Sequence, residues 1–308
     1  MADQFRGVYA IPPTPFTEDD QVDVESVRKC VDFMVRAGAD GVVALVNASE
    51  GPFLTDAERK QVVETIVEQT NKRVPVVIGV SGVSTRHSVE LAKVAHAAGA
   101  DALMAMPPYV KHPNADEVPA FYETLARATP LPIFIQNYQA PVGTPMSAQL
   151  VARLMREIDT ISYLKEETQY APQMMTKIKE LAGDALQGMM GGMAGRHMLD
   201  EYARGACGTM PACEVTDAHA AVWQALESGN ENQAREHFRL LLPLLDYEAM
   251  YSVAVYKEVL RRRGVIKSAR VRSPGSPTLD EGNHRELDKI LSALSPLLTA
   301  DQPQPARA

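Results

Sequence analysis

The chain has 308 residues, 45% of them hydrophobic, and a formal net charge of −8. That length allows one large α/β barrel or two ordinary domains, either with a sizeable core. The acidic balance, with no basic cluster beyond Arg261-Arg262-Arg263, argues against nucleic acid or an anionic membrane as partner, and the triplet itself reads as a solvated helix end.

A weak internal repeat sets the expected architecture. Arg36-Ala-Gly-Ala-Asp-Gly-Val-Val-Ala-Leu-Val46, His96-Ala-Ala-Gly-Ala-Asp-Ala-Leu-Met-Ala-Met106 and Ala203-Arg-Gly-Ala-Cys-Gly-Thr-Met210 share one grammar: a helix closed by glycine, a tight turn, then an apolar strand. Each copy marks an α-to-β junction. Further apolar strands are expected at Gly7–Ile11, Val74–Gly79, Ile133–Tyr138, Ile161–Lys165 and Ala185–Gly188. The resulting eight strands recur roughly every 23 to 35 residues, the length of a strand, a helix and two short loops, and their continuous apolar character suits a parallel sheet covered on its outer face. The expected fold is a (β/α)8 TIM barrel over residues 1–225. A doubly wound open sheet is the alternative, but no GxGxxG follows the first strand. Beyond the barrel the pattern turns helical, with Ala218–Ser228 completing the barrel and Glu231–Asp246, Ala249–Arg263 and Asn283–Leu298 forming a C-terminal appendage to about residue 299. Residues 300–308, with two prolines and no apolar period, read as a disordered tail.

Cys30, Cys207 and Cys213 form no CxxC pair, so they read as reduced thiols of a cytoplasmic protein. The start, Met1-Ala-Asp-Gln-Phe-Arg6, lacks an apolar signal core, and no apolar run approaches the roughly 18 residues of a transmembrane helix. Seven scattered histidines give no metal-ligand spacing.

Lys165 is the residue that most needs explaining. It ends the apolar run Ile161-Ser-Tyr-Leu-Lys165, and lysine is rarely buried without a partner. It either snorkels to water or pairs with Glu166 or Glu167, or it is a sheltered amine poised to attack a ketone, as the carboxyl end of a barrel strand would suit. The other expected strand ends read Ile11-Pro-Pro-Thr-Pro-Phe16, Val46-Asn-Ala-Ser-Glu50, Met106-Pro-Pro-Tyr109, Gln136-Asn-Tyr-Gln-Ala-Pro141, Gly188-Met-Met-Gly-Gly192 and Met210-Pro-Ala. The glycines at 188, 191, 192 and 195 suit either a flexible loop or a phosphate site.

Thr14-Pro15-Phe16, the helix start Leu54-Thr55-x-x-Glu58, Pro108-Tyr109 and Leu164-Lys165-Glu166, in this order and spacing, resemble the Schiff-base lyases of the dihydrodipicolinate synthase and N-acetylneuraminate lyase family. The resemblance implies that Lys165 forms an imine with a 2-oxo acid, with no metal or nucleotide cofactor, in a homotetramer. It implies that Tyr109 reaches a subunit contact, and that Asn47, Ala48 and Ser49, standing where the family usually has Thr-Thr-Gly, hold the substrate carboxylate, with Gly192 and Met210 also lining the site. Asn47 and Ser49 read equally as ordinary turn residues.

The chain departs from the family on strand 5, where Gln136 stands in place of the usual catalytic tyrosine and Pro141 lies near the arginine of synthase-type members. Glutamine orients a water or hydroxyl but has no useful acid–base equilibrium near neutral pH. Tyr138, two residues on and on the same strand face, supplies a phenol or merely packs. These features most resemble the branch that dehydrates 2-keto-3-deoxy sugar acids. An aldolase releasing pyruvate, a dihydrodipicolinate synthase-like condensing enzyme and a non-catalytic 2-oxo-acid sensor are the other expectations.

Overall fold

The computed structural model describes residues 5–140 and 142–303. Parallel strands β1 (Gly7–Ala10), β2 (Gly41–Ala44), β3 (Val76–Gly79), β4 (Ala102–Ala105), β5 (Ile133–Tyr138), β6 (Ile161–Glu167), β7 (Gly188–Gly191) and β8 (Gly208–Thr209) close into a barrel in sequence order. Between them run helices α1 (Val24–Arg36), α2 (Asp56–Thr70), α3 (Thr85–Ala98), α4 (Val118–Ala126), α5 (Ala148–Glu157), α6 (Ala171–Ala182) and α7 (Met198–Ala203), and α8 (Thr216–Glu227) follows β8. The architecture is therefore the (β/α)8 barrel expected, extended by α9 (Glu231–Tyr251), α10 (Val253–Arg262) and α11 (Glu281–Leu294). Packing divides the described chain into two compact units: one holds Phe5, Arg6, Pro75–Met193 and His197–Met210, the other Gly7–Val74, Ala194–Arg196 and residues 211–303. No described helix is long and apolar enough to cross a membrane.

The repeated junctions behave as the sequence suggests. Gly38, Gly99 and Gly205 all take positive φ, at 88°, 92° and 95°, the left-handed conformation that L side chains resist. The aspartate of the Gly-Ala-Asp repeat has its own task. Asp40 Oδ2 accepts the Val8 N–H and Asp101 Oδ2 accepts the Val76 N–H, each at 2.8 Å, so the turn satisfies an amide in the first two residues of a preceding strand.

Three expectations need correction. Strand 7 was expected at Ala185–Gly188, but Gly183–Ala185 is a 3-10 turn and the strand is Gly188–Gly191. The glycines at 188 and 191 therefore belong to the strand and not to a flexible or phosphate-binding loop. Strand 6 runs two residues past Lys165, because Glu166 and Glu167 pair in register with Asn137 and Tyr138.

The arginine triplet is not a solvated helix end. Arg262 and Arg263 are buried. Arg262 reaches Glu258 at 2.8 Å and Asp288 at 2.7 Å, and Arg263 grips Asp217 at 2.7 and 3.0 Å and the Glu214 carbonyl at 2.8 Å. Arg263 also donates to the carbonyls of Ala300 and Asp301. Of the expected tail, residues 304–308 lie outside the described residues. The three cysteines are buried and none is disulfide-bonded.

Candidate active site

Successive side chains of a strand point to opposite faces, so Tyr163, Lys165 and Glu167 share one face of β6. Tyr163 stacks on Phe134 at 4.7 Å between centroids, and Phe5 meets both rings edge-on at 5.0 and 5.4 Å. Above this aromatic floor, Gln136 lies in register with Lys165 and Tyr138 with Glu167. Lys165 is 4% exposed, and its Nζ lies 3.2 Å from Glu167 Oε1. It pairs with Glu167 without snorkelling to water. An ammonium at this depth would be costly without a counter-charge, and the Glu167 carboxylate supplies one.

Glu167 is the hub of the group. Oε1 also accepts the Met193 backbone N–H at 3.2 Å, and Oε2 accepts Gln136 Nε2 at 2.7 Å. Gln136 therefore spends its amide on orienting a carboxylate. A fixed carboxylate beside an amine can accept the ammonium proton and return it elsewhere, which is the requirement of general acid–base work next to a nucleophile.

The wall beside this group is two glycines thick. A Cβ on Gly192 would lie 2.2 Å from Glu167 Cγ, and one on Gly191 would lie 1.8 Å from Glu201 Oε2. Gly191 pairs with Glu166, whose side chain takes the face opposite Lys165. There Glu166 accepts Asn137 Nδ2 at 2.8 Å and both the N–H and hydroxyl of Thr168, at 2.8 and 2.5 Å. Burial pushes the Glu166 carboxyl up to about 7 despite these donors. Burial pushes Glu201 further, to about 8, with Glu167 and Asp200 adding to the rise, and its Oε2 is buried with no hydrogen-bond partner. At neutral pH Glu201 is therefore mostly protonated and Glu166 about half so, while Glu167 faces a cation.

The other expected residues of this unit are placed as follows. Tyr138 is half-buried at the end of β5, where the Gly143 backbone passes so closely that a Cβ there would sit 2.0 Å from the Tyr138 carbonyl oxygen. Tyr109 is half-buried in the segment after β4, next to Val110, which is 68% exposed. Met210 is buried after β8 and donates its N–H to the Gly191 carbonyl at 2.9 Å. Pro141 lies outside the described residues.

In the second unit Asn47, Ala48 and Ser49 form a 3-10 turn after β2. Ser49 is 1% exposed, its carbonyl accepts Thr14 Oγ1 at 2.6 Å, and its Oγ has no hydrogen-bond partner. Glu50 follows in the left-handed region at φ 56° and is fully buried. Its Oε1 meets Lys257 Nζ at 2.5 Å, and its Oε2 accepts the N–H groups of Arg272 and Ser273 at 2.7 and 2.6 Å and the Ser273 hydroxyl at 2.9 Å. Lys257 and Arg272 both sit over the Phe16 ring, 4.3 and 4.1 Å from its centroid. Burial pulls the Lys257 ammonium down to about 8, and Glu50 opposes that shift. Arg272 Nη1 reaches Glu58 at 2.9 Å, and Glu58 closes a capping box with Thr55 at the start of α2.

Phe16, Thr55 and Glu58 thus do structural work in a single cluster. The sequence reading missed Glu201 and the Glu50–Lys257 pair, and it treated Glu167 only as one possible partner of Lys165. The two-residue spacing of Lys165 and Glu167 was available as a signal. Glu50 and Arg272 are 222 positions apart and left none. No group of three or more His, Cys, Asp or Glu among the described residues is arranged to hold a metal ion.

The profile of the dihydrodipicolinate synthetase family matches residues 4–294. The chain is 34% identical over 299 residues to an L-2-keto-3-deoxyarabonate dehydratase of Azospirillum brasilense, covering 95% of this chain and 96% of that protein. It is 30% identical over 296 residues to a 4-hydroxy-tetrahydrodipicolinate synthase of Chlorobium luteolum, covering 94% and 98%. Among solved structures, a dihydrodipicolinate synthase from Rhodopseudomonas palustris superposes with a TM-score of 0.88 at 26% identity over 96% of this chain and 99% of that one. A prophage protein of the same family from E. coli K12, solved in complex with pyruvate, superposes with a TM-score of 0.85 at 25% identity over 94% and 99%.

Proposed function

The chain belongs to the dihydrodipicolinate synthetase family, whose members are lyases, and on that premise we propose that it dehydrates a 2-keto-3-deoxy sugar acid through an imine on Lys165. The observation that carries this reading is the buried amine held 3.2 Å from a carboxylate that is itself fixed by Gln136 and Met193. Glu167 takes the ammonium proton, and the freed amine attacks the C2 ketone. Loss of water gives the iminium, which acts as an electron sink for the next step. Glu167, having returned its proton to the water lost on imine formation, then takes a proton from C3 and gives it to the departing C4 hydroxyl, and with a pentonate substrate loss of a C5 proton, reprotonation at C3 and tautomerisation of the resulting C4–C5 enol give the semialdehyde. Hydrolysis of the imine returns Lys165.

In the same reading Gln136 orients Glu167 and Tyr138 offers a second proton donor. Asn47, Ala48 and Ser49 receive the substrate carboxylate, Gly192 and Met210 line the pocket, and Tyr109 works at a contact within a homotetramer. No metal or nucleotide cofactor enters, and the enzyme acts in the cytoplasm. The name of the Azospirillum relative favours dehydration. The synthase name of the Chlorobium relative keeps a pyruvate-dependent condensation or aldol cleavage as the second reading, against which stands the glutamine at 136.

The test is incubation with a panel of 2-keto-3-deoxy pentonates and hexonates. A semialdehyde product supports the proposal, release of free pyruvate replaces it with aldol cleavage, and imine formation without turnover on any substrate would leave a 2-oxo-acid sensor.

A further inference from the structure

We infer that the segment Arg270–Ser273, fastened to Glu50 by Lys257, is a positioning strap for the Asn47–Ser49 turn and thereby sets how tightly the enzyme holds the carboxylate end of its 2-oxo acid. The inference rests on the functional reading above. Three observations carry it. Glu50 immediately follows the turn and holds a left-handed conformation that a non-glycine residue keeps only when its surroundings dictate it. Those surroundings are Lys257 and three donors from Arg272 and Ser273, so every contact the structure gives the Glu50 carboxylate comes from the C-terminal region. Lys257 ties the strap a second time by donating to the Arg270 carbonyl at 2.6 Å.

The turn is also pinned from its other side, where Thr14 Oγ1 holds the Ser49 carbonyl. Between these anchors the Ser49 hydroxyl is buried and unpartnered. A buried hydroxyl without a partner is costly unless a ligand takes it, so the strap holds a donor ready for an acceptor that arrives with substrate. Arg272 locks the strap sideways through Glu58, the Asp20 carbonyl at 2.6 Å and the Phe16 face. These residues position the turn and touch no reacting atom.

The experiment uses the full chain with pyruvate as probe. Imine formation is trapped with borohydride across a pyruvate titration, and KM and kcat are measured with the substrate identified by the panel. Ser273→Ala removes one donor to Glu50 and should raise both the half-saturating pyruvate concentration and KM several-fold while leaving kcat within about twofold. Ser273→Pro removes two donors and Lys257→Met removes the fastener, and each should raise them further, about tenfold or more. Arg285→Ala, at an exposed α11 pair, is the control and should change neither. If the strap variants melt earlier yet reach half-saturation at the wild-type concentration, the strap is merely structural and the inference fails. If Lys257→Met does not fold, the two Ser273 variants decide the matter alone. If the wild-type chain traps no pyruvate at all, the Schiff-base reading fails first and takes this inference with it.

Discussion

Gly192→Ala tests the geometry around Lys165 with a single methyl group. The added Cβ would lie 2.2 Å from Glu167 Cγ and 2.3 Å from Oε1, whereas unstrained carbon–carbon contacts begin near about 3.5 Å. The shortfall is roughly 1.3 Å, and the Glu167 side chain, not the strand backbone, is the softer partner and must give. Such a shift breaks the 3.2 Å pair with Lys165 and the 2.7 Å bond from Gln136 together. A displacement of about 1 Å in a positioned catalytic group costs on the order of a hundredfold in rate, which corresponds to roughly 2.7 kcal/mol of transition-state stabilisation. Initial-rate assays on the preferred 2-keto-3-deoxy acid should show that loss in kcat, and the combination with Glu167→Asp, one methylene shorter, should recover part of it. Wild-type kcat in a folded Gly192→Ala protein would refute the reasoning, because it would mean that Glu167 can leave its place without consequence.

Lys165→Arg keeps the charge but removes the nucleophile, so borohydride trapping with pyruvate and turnover should both vanish while the melting temperature changes little. Glu166 and Glu201 titrate near 7 and 8 against an ordinary value of 4.5. The folded state therefore binds protons that the unfolded state releases, and the stabilisation present below about 4.5 is lost as pH rises toward 8. Melting temperatures measured from pH 5 to 8 should fall less in Glu201→Gln than in the wild type, and equal slopes would contradict the assignment. Arg263→Met strands the buried Asp217 carboxylate and should cost about 3–5 kcal/mol in urea unfolding; a change below about 1 kcal/mol would return Arg263 to the surface role suggested by its sequence context.

How far the sequence could be read depended on where the interactions lie along the chain. Strand β5 was legible to its last residue because Ile133–Tyr138 is apolar, β-branched and aromatic, and turn residues follow it. Strand β7 was misplaced because Gly-Met-Met-Gly resembles a loop: glycine weakens strands and is read as a breaker, and the groups that leave no room for a side chain there, Cys207 and Tyr163 at Gly188 and the Glu201 carboxylate at Gly191, come from other parts of the chain. The helix α9 continues through Pro243 to Tyr251, five residues past the expected end, and stops where Ser252 turns to φ 47°, a conformation that no residue identity signalled. Lys165 stood out because an amine at the end of an apolar run is locally anomalous. The buried arginines at 262 and 263 did not, since three adjacent basic residues usually mark a wetted surface, and Asp288 and Asp217, which hold them besides Glu258 of the same helix, sit on distant helices.

The Glu50 clasp also bears on how the polypeptide is made. Glu50 leaves the ribosome early, whereas Arg272 follows 222 positions later. At about 5–20 residues per second that interval is roughly 11 to 44 s, during which the clasp is incomplete. The loop near the amino terminus therefore matures only when the last helices emerge. A chain truncated before Lys257 would leave the Glu50 carboxylate without its ion pair.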